Sequence, residues 1–443
     1  MKKLLFVICL LSVFIISCKK QSPTTPVDTP DVPVFTQTIT ETATPGDTFT
    51  ATISSTATVT TTSTQIIENT STTTPTTTET PSITLTSTIT VSCTITETAT
   101  ITPSSTATVT ITNTPAWQTV GQAEISANSA DEVSLKNCGG KMYLAYTDND
   151  NYPVVKTLNG SSWIDSYTTS NMGRNTNQSF YSTGSALYWV PFYFYTNDPL
   201  LFFNGTDWSE LSVYPSDYSN YSVASDGTNI YAAGADSANE YKFIINKFDG
   251  AVWTDITSPL NITNVDAEPW IPSMEIFGGE LYLAYNDLSV NGAAVVKYTG
   301  TTWEPVGTAP IITESPSDMT LKASGANLYL ALNYTGTTKP AVFILNGTSW
   351  QDLNSTSISD YYAGYIAMNV YNGTPYVAYR DAYDNYKLKV KKYNGATWDT
   401  VGTTSATAGS IGSISLEFDN SGVPYVAVTD SANSNKTHVF KYE

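Results

Sequence analysis

Aromatic and acidic side chains gather in predicted loops of this chain, and they are its best candidates for binding chemistry. The chain contains 29 tyrosines. Flat rings stack on the apolar face of a sugar, and neighbouring carboxylates and amides bond its hydroxyls. The candidate ligand-binding residues are Trp270, Tyr361, Tyr362, Tyr218, Tyr152, Tyr383 and Asp384. The alternative is that these rings only pack their loops against the fold, and the sequence does not separate the two.

A series of aspartates follows one apolar segment of successive repeats. The series comprises Asp148, Asp198, Asp236, Asp287, Asp381 and Asp430. Such residues commonly stabilise turns, because the carboxylate accepts backbone N–H bonds. The alternative is a ring of carboxylates that binds Ca²⁺ or a polyhydroxy ligand. Asp148, Asp150 and Asp381 would then be the metal ligands, although neither stretch matches an EF-hand loop. We therefore expect no cofactor, with Ca²⁺ as the one metal that the pattern allows.

Several classes of catalytic site need residues that are scarce here. A single histidine, His438, excludes a His-rich zinc or iron site and disfavours a Ser-His-Asp triad. Acidic residues are plentiful, so a glycoside hydrolase or lyase that uses two carboxylates remains an alternative. Nothing in the sequence selects such a pair. We predict that the protein is not an enzyme and has no catalytic residues.

The elements that position these loops follow from seven evenly spaced tryptophans. They are Trp117, Trp163, Trp208, Trp253, Trp303, Trp350 and Trp398, with intervals of 46, 45, 45, 50, 47 and 48 residues. A fixed period in this range is typical of a repeat architecture. A residue that recurs once per unit at one strand position is expected to pack between units, so we interpret the tryptophans as structural.

Each unit contains four short apolar segments, which we letter A to D. In one unit they span residues 365–370, 375–379, 387–393 and 398–401. The B segments are almost wholly apolar, which suits a sheet buried on both faces. Asn-Gly or Asp-Gly usually separates C from D and predicts a type I′ hairpin.

Four antiparallel strands per unit and seven units predict an all-β fold, a seven-bladed β-propeller over residues 116–443. The region opens on a lone D segment at 117–121 and ends on A, B and C segments at 414–418, 423–428 and 437–442. Together these pieces complete one blade, so the N-terminal strand is expected to close the last blade. The D–A and B–C loops would then share one face, opposite the A–B and C–D turns.

The repeats resemble the Trp-turn repeats of bacterial seven-bladed propeller lipoproteins. They are distantly similar to the Asp-box hairpin of the sialidase superfamily, Ser-x-Asp-x-Gly-x-x-Trp. Here the turn is one residue shorter, as in Asn204-Gly205-x-x-Trp208. The sialidase resemblance implies an arginine cluster for the substrate carboxylate. The chain has only Arg174 and Arg380, so the resemblance supports the architecture but not the activity.

The N-terminal quarter has two parts of different composition. Residues 1–17 resemble a lipoprotein signal peptide, since two lysines precede a short apolar segment that closes on Ser17-Cys18. Cys18 is the predicted lipid-attachment site, and an ordinary signal peptide with a chance cysteine is the alternative. Residues 18–115 are rich in Thr, Ser and Pro and poor in aromatics, which predicts a disordered stalk. A domain of Thr-rich strands is the weaker alternative.

The charge balance limits the partners. The chain has 39 acidic and 20 basic residues, which disfavours nucleic acid as a ligand. A lipid anchor would hold the protein to a membrane of the bacterial cell envelope, facing outward. We predict a surface binding module whose D–A and B–C loop face takes a glycan or a protein. A protein-interaction scaffold in an envelope complex is the alternative.

Overall fold

A computed structural model describes residues 34–38, 82–86, 108–112, 115–148, 152–168, 178–191, 199–213, 218–236, 242–257, 272–287, 291–336, 339–354, 358–402 and 405–443. The chain divides into two compact units, Met1–Thr114 and Pro115–Glu443. The second unit begins one residue before the predicted repeat domain. None of the helices in these ranges is long and apolar enough to cross a membrane.

Three short strands are described in the first unit. They are β1 (Val34–Thr38), β2 (Ser82–Thr86) and β3 (Thr108–Thr112). β3 lies between the other two, antiparallel to β1 and parallel to β2. The predicted signal peptide, Cys18 and most of the predicted stalk lie outside the described residues. The lipid anchor and the disorder of the stalk therefore stay predictions.

The second unit is a seven-bladed β-propeller with four antiparallel strands in each blade, which confirms the predicted fold. Blade 1 contains β5 (Ala130–Cys138), β6 (Lys141–Asp148), β7 (Pro153–Asn159) and β8 (Ser162–Thr168). Blade 2 contains β9 (Gln178–Ser182), β10 (Leu187–Pro191), β11 (Pro199–Phe203) and β12 (Trp208–Val213). Blade 3 contains β13 (Tyr218–Ser225), β14 (Ile230–Asp236), β15 (Lys242–Phe248) and β16 (Trp253–Asp255). Blade 4 contains β17 (Ser273–Phe277), β18 (Glu280–Asp287), β19 (Gly292–Tyr298) and β20 (Trp303–Pro305).

The last three blades complete the ring. Blade 5 contains β21 (Pro316–Ser324), β22 (Asn327–Tyr334), β23 (Pro340–Asn346) and β24 (Ser349–Asp352). Blade 6 contains β25 (Ala363–Tyr371), β26 (Thr374–Asp381), β27 (Lys387–Tyr393) and β28 (Trp398–Thr400). Blade 7 contains β29 (Ile411–Phe418), β30 (Pro424–Asp430), β31 (Lys436–Tyr442) and the early strand β4 (Trp117–Thr119). Two 3-10 helices, η1 (Ala382–Asp384) and η2 (Ser431–Asn433), form the B–C turns of blades 6 and 7.

The ring closes between the two ends of the repeat region, as the sequence predicts. β4 pairs antiparallel with β31, and Trp117 lies opposite Tyr442. Backbone hydrogen bonds between Ala116 and Glu443 extend the ladder by one residue. Because β4 supplies the D strand of blade 7, the last blade is complete only when the two ends of this unit meet.

The A strands form the inner edge of the sheets, and each contacts the A strands of both neighbouring blades. Serine hydroxyls on one A strand accept backbone N–H bonds from the next. These bonds are Val223 N to Ser179 Oγ, Met274 N to Ser222 Oγ, Leu321 N to Ser273 Oγ, Val133 N to Ser413 Oγ and Leu135 N to Ser415 Oγ, at 2.8–3.1 Å. The inner edges therefore bond directly across four blade boundaries.

The repeated tryptophans make a second inter-blade contact at the outer edge. Five of them donate the indole N–H to a backbone carbonyl of the preceding blade. In each case the accepting residue lies three positions after the tryptophan of that preceding blade. These bonds join Trp117 to Val401, Trp163 to Val120, Trp303 to Ile256, Trp350 to Val306 and Trp398 to Leu353, at 2.9–3.0 Å. Trp208 instead donates to Ser166 Oγ at 3.0 Å. These contacts support the structural interpretation of the tryptophans.

The hairpin turns differ from the sequence-based expectation. A type I′ turn needs positive φ at both central residues. That condition is met in A–B turns, for example at Asn372 (φ 47°) and Gly373 (φ 77°), but not in the C–D turns. There only the glycine has positive φ, so the predicted type I′ geometry is wrong. In blade 6 the Asn394 side chain instead accepts N–H bonds from Ala396 and Thr397, which fixes an Asx turn.

Candidate functional site

Four of the predicted ligand residues come together on blade 6. Tyr361 and Tyr362 belong to its D–A loop, and Tyr383 and Asp384 belong to η1 in its B–C turn. The rings of Tyr361 and Tyr383 stack, with centroids 4.6 Å apart and planes 28° apart. Their exposed fractions are 53% and 69%, so the stacked pair presents its rings to solvent. We call Tyr361, Tyr362, Tyr365, Tyr383 and Tyr386 the tyrosine patch.

Hydrogen bonds accepted by Asp381 order the B–C turn, and a backbone hydrogen bond joins this turn to the D–A loop. The Asp381 carboxylate accepts the backbone N–H of Tyr383 at 3.1 Å and so caps η1. The Lys389 ammonium lies 3.1 Å from the other carboxylate oxygen. Ala382 N donates to the Tyr362 carbonyl at 3.1 Å, which ties the B–C turn to the D–A loop. The tyrosines of the two loops therefore stand on a bonded framework.

A β-bulge adds a further ring to the patch. The pairing of β25 with β26 shifts register between Gly364 and Ile366, which leaves Tyr365 as the extra residue with φ 46°. Gly364 permits a close approach here, since a Cβ at that position would lie 3.1 Å from Tyr362 Cε1. Tyr365 is exposed as a result of this geometry.

Arg380 lies at the centre of the patch. Its guanidinium carbon is 4.8 Å from the Tyr365 ring centroid and 5.1 Å from that of Tyr386, within the range of cation–π attraction. A recess of about 250 Å³ beside it is lined by Tyr362, Arg380, Tyr386 and Ser410. Two aromatic contacts hold the guanidinium in place, and tyrosine and serine groups line the recess next to it.

A larger cavity of about 640 Å³ lies beside strands C and D of blade 6. Its lining includes Asp384, Lys387 and Lys389 together with Trp117 of blade 7. Asp384 thus borders this cavity, next to the exposed ring of Tyr383.

The other predicted ligand residues lie elsewhere or are not described. Tyr152 is exposed in the B–C loop of blade 1, two blades away from the patch. The sequence predicts Tyr218 in a D–A loop, and this is wrong: Tyr218 opens strand β13 and pairs with Asp236. The strand extends beyond a bulge, and aromatic residues suit strands well. Trp270 lies outside the described residues.

The aspartates proposed as metal ligands are not brought together. Asp148 belongs to blade 1, where it accepts the Tyr152 N–H at 2.8 Å, whereas Asp381 belongs to blade 6. Asp381 is only 3% exposed and already pairs with Lys389. Asp150 is not described. Within the described ranges, no group of three His, Cys, Asp or Glu side chains could hold a metal. Turn chemistry accounts for both described aspartates.

Two carboxyl groups in bulged A strands have altered acidity. Burial, with a smaller contribution from Asp131, raises the pKa of Glu132 from 4.5 to about 7. Burial also raises the pKa of Asp318, opposed by hydrogen bonds from Asn333 and Ser317. A carboxyl with a pKa near 7 can give or take a proton at neutral pH. Glu132 lies on blade 1 and Asp318 on blade 5, so they are not neighbours in the ring.

The sequence alone does not single out Tyr365, Arg380 or Ser410. Tyr365 falls in the regular part of the predicted A segment, and Arg380 is one of only two arginines, too few for a sialidase-like cluster. The available signal was that both loops of one unit, 360–362 and 383–386, are rich in tyrosine. Loops of one blade that share a face must meet, and the end of strand B then lies between them.

No family model matches the chain, and no characterised protein matches it by sequence. Solved structures with a similar fold include Trypanosoma rangeli sialidase in complex with the inhibitor DANA, at 12% identity and a TM-score of 0.42. That match covers 74% of this chain and 57% of the sialidase. Another is SapL1 lectin in complex with alpha methyl fucoside, at 10% identity and a TM-score of 0.44, covering 72% of this chain and 95% of the lectin. Similarity at this level does not show that this chain shares the activity or the ligand of either protein.

Proposed function

We propose that this protein is a binding module of the bacterial cell surface, and that the tyrosine patch of blade 6 binds a glycan. The supporting observation is the gathering of five exposed tyrosines on the two loops and the bulged strand β25 of one blade. Monomeric proteins seldom expose so many large rings together unless a ligand covers them. Rings stack on sugars, and five phenolic hydroxyls can bond to sugar hydroxyls.

The arrangement of the patch favours a saccharide over an apolar ligand. The stacked pair of Tyr361 and Tyr383 is flat and open, while the recess beside Arg380 is shallow and bordered by polar groups. A flat ring surface beside hydrogen-bonding groups suits a polyhydroxy ring, which has one apolar face and a polar edge. The bonded framework around Asp381 keeps this surface ordered before the ligand arrives, which lowers the entropic cost of binding.

We further propose that Cys18 carries a lipid anchor and that residues 18–115 form the stalk. Lipid attachment at one end of a long Thr-rich tract would keep the propeller at the membrane surface while leaving it free to move. An outward-facing position in the cell envelope suits a glycan-binding role, since the ligand lies outside the membrane.

A glycan array probed with the full-length protein tests the binding function. The wild type is expected to bind a defined set of glycans, and the Tyr361→Ala, Tyr383→Ala double variant is expected to lose them. Tyr152→Ala is the matched control, because Tyr152 is an exposed tyrosine on the B–C loop of another blade. Unchanged binding by the double variant would refute the assignment of the site.

A protein ligand is the second candidate. Tyrosine and arginine are the residues that most often dominate the energy of protein–protein contacts, and the patch combines both. Under this alternative the array stays empty, while the double variant loses a partner that the wild type retains from an envelope extract.

A further inference from the structure

Blade 6 departs from the charge of the rest of the propeller. Residues 116–443 contain 32 acidic and 16 basic residues. Within residues 358–402, however, basic residues outnumber acidic ones by five to four. The basic residues there are Arg380, Lys387, Lys389, Lys391 and Lys392. Blade 6 as a whole is therefore close to neutral, although its two patch loops carry Asp360 and Asp384 and Lys389 is paired with Asp381. The attraction for an anionic group at the tyrosine patch comes from Arg380 itself.

Arg380 has no anionic partner within the described part of the chain. None of the carboxylates there forms a salt bridge with it, and its Nε is buried without a hydrogen-bond partner. A guanidinium without an anionic partner beside a recess leaves N–H donors available to an acceptor that enters it. The rings of Tyr365 and Tyr386 nevertheless hold the guanidinium in one orientation.

We infer that the recess beside Arg380 receives the carboxylate of an acidic saccharide, and that adjacent sugar rings stack on Tyr361 and Tyr383. This inference rests on the proposed glycan-binding function. The planar guanidinium matches a planar carboxylate through two parallel N–H···O bonds. A recess of about 250 Å³ has room for a single sugar residue, and Tyr362 and Ser410 help to line it. The tyrosine patch then contacts the apolar faces of the sugar rings, and Arg380 binds the carboxylate.

The experiment compares two forms of one oligosaccharide, an oligogalacturonate and its fully methyl-esterified counterpart. The full-length protein is titrated calorimetrically with each form. The wild type is expected to bind the acid form about tenfold or more tightly than the ester, the usual effect of a charge-assisted pair. Arg380→Gln is expected to bind the two forms equally, because the ester and the variant each remove the same interaction.

Two further variants separate this effect from a general change of charge or fold. Lys392→Gln removes one positive charge from the same blade but not from the recess, and it is expected to keep the wild-type preference. Arg380→Lys keeps the charge without the planar fork, so an intermediate preference is expected. Equal unfolding midpoints for all variants show that the fold is intact.

The outcomes distinguish the inference from the proposed function. If Arg380→Gln keeps the preference for the acid form, or if the wild type binds both forms equally or neither, the inference is overturned. Binding of a polyglutamate peptide as tight as that of the acid form would also overturn it. In each case the proposed function still depends on its own test, the loss of array binding in the Tyr361→Ala, Tyr383→Ala variant.

Discussion

The contact between Gly307 and the indole of Trp350 gives a sharp test of how the blades are joined. Gly307 follows the carbonyl of Val306, which accepts the Trp350 indole N–H at 2.9 Å. Its φ is +79°, and a Cβ there would lie 2.7 Å from Trp350 Cδ1. Gly279 is a matched control, because its φ is +83° but a Cβ there would meet nothing within 4 Å. Both glycines are therefore to be changed to alanine.

The two substitutions share one cost and differ in another. Holding alanine at positive φ costs about 1–2 kcal/mol at either position. Only at Gly307 must the indole move or the backbone shift, and overpacking of this kind costs about 1–3 kcal/mol. If the indole moves away, the Val306 carbonyl also loses its donor, at about 1 kcal/mol. We therefore expect Gly307→Ala to lose about 2–6 kcal/mol of unfolding free energy and Gly279→Ala about 1–2 kcal/mol.

Urea unfolding of the full-length variants, followed by tryptophan fluorescence and circular dichroism, measures the difference. The slope of unfolding free energy against urea is expected to stay constant, so that the midpoint alone reports stability. Equal losses for the two variants would refute the close packing of the indole on the preceding blade.

Three other predictions address the remaining residues. Glu132 is expected to make the free energy of unfolding depend on pH. Burial raises its carboxyl pKa to about 7. Its contribution to stability is therefore fully present below pH 4.5 and is lost as the pH rises toward 7. Glu132→Gln should flatten that part of the stability profile, and an unchanged profile would assign the dependence to another group. Cys18→Ser should abolish the incorporation of a labelled fatty acid in a bacterial host, and labelling that persists would exclude Cys18 as the attachment site. Addition of EDTA to remove Ca²⁺ should leave the unfolding temperature unchanged, because carboxylates such as Asp430 already accept backbone N–H bonds. A rise in the unfolding temperature on addition of Ca²⁺ would support the metal-site hypothesis instead.

The blade architecture was predictable because its signals are local and periodic. Tryptophan spacing gave the number of units, and apolar segments gave the strands within each unit. The lone D segment at 117–121 and the incomplete last unit together indicated how the ring closes. Each signal is a periodic spacing, a segment within one repeat or a segment at an end of the repeat region, so no knowledge of distant contacts is needed.

The site was only partly predictable because its centre depends on strand register. Tyr361, Tyr362 and Tyr383 could be assigned to loops of one face, but their contact requires that the D–A and B–C loops of one blade meet. Tyr365 becomes exposed through a bulge between β25 and β26, and a one-residue shift of register is not visible in the sequence. Arg380 acquires its role only from Tyr365, which this bulge exposes, and from Tyr386 of the B–C turn.

A crystal structure of the full-length protein with a bound oligosaccharide, chosen from the array, tests the central proposal most directly. We predict a sugar ring stacked on the outer face of Tyr361 or Tyr383, with a neighbouring ring in the recess beside Arg380. An oligosaccharide bound on another blade or in the central channel, with the tyrosine patch bare, would contradict it.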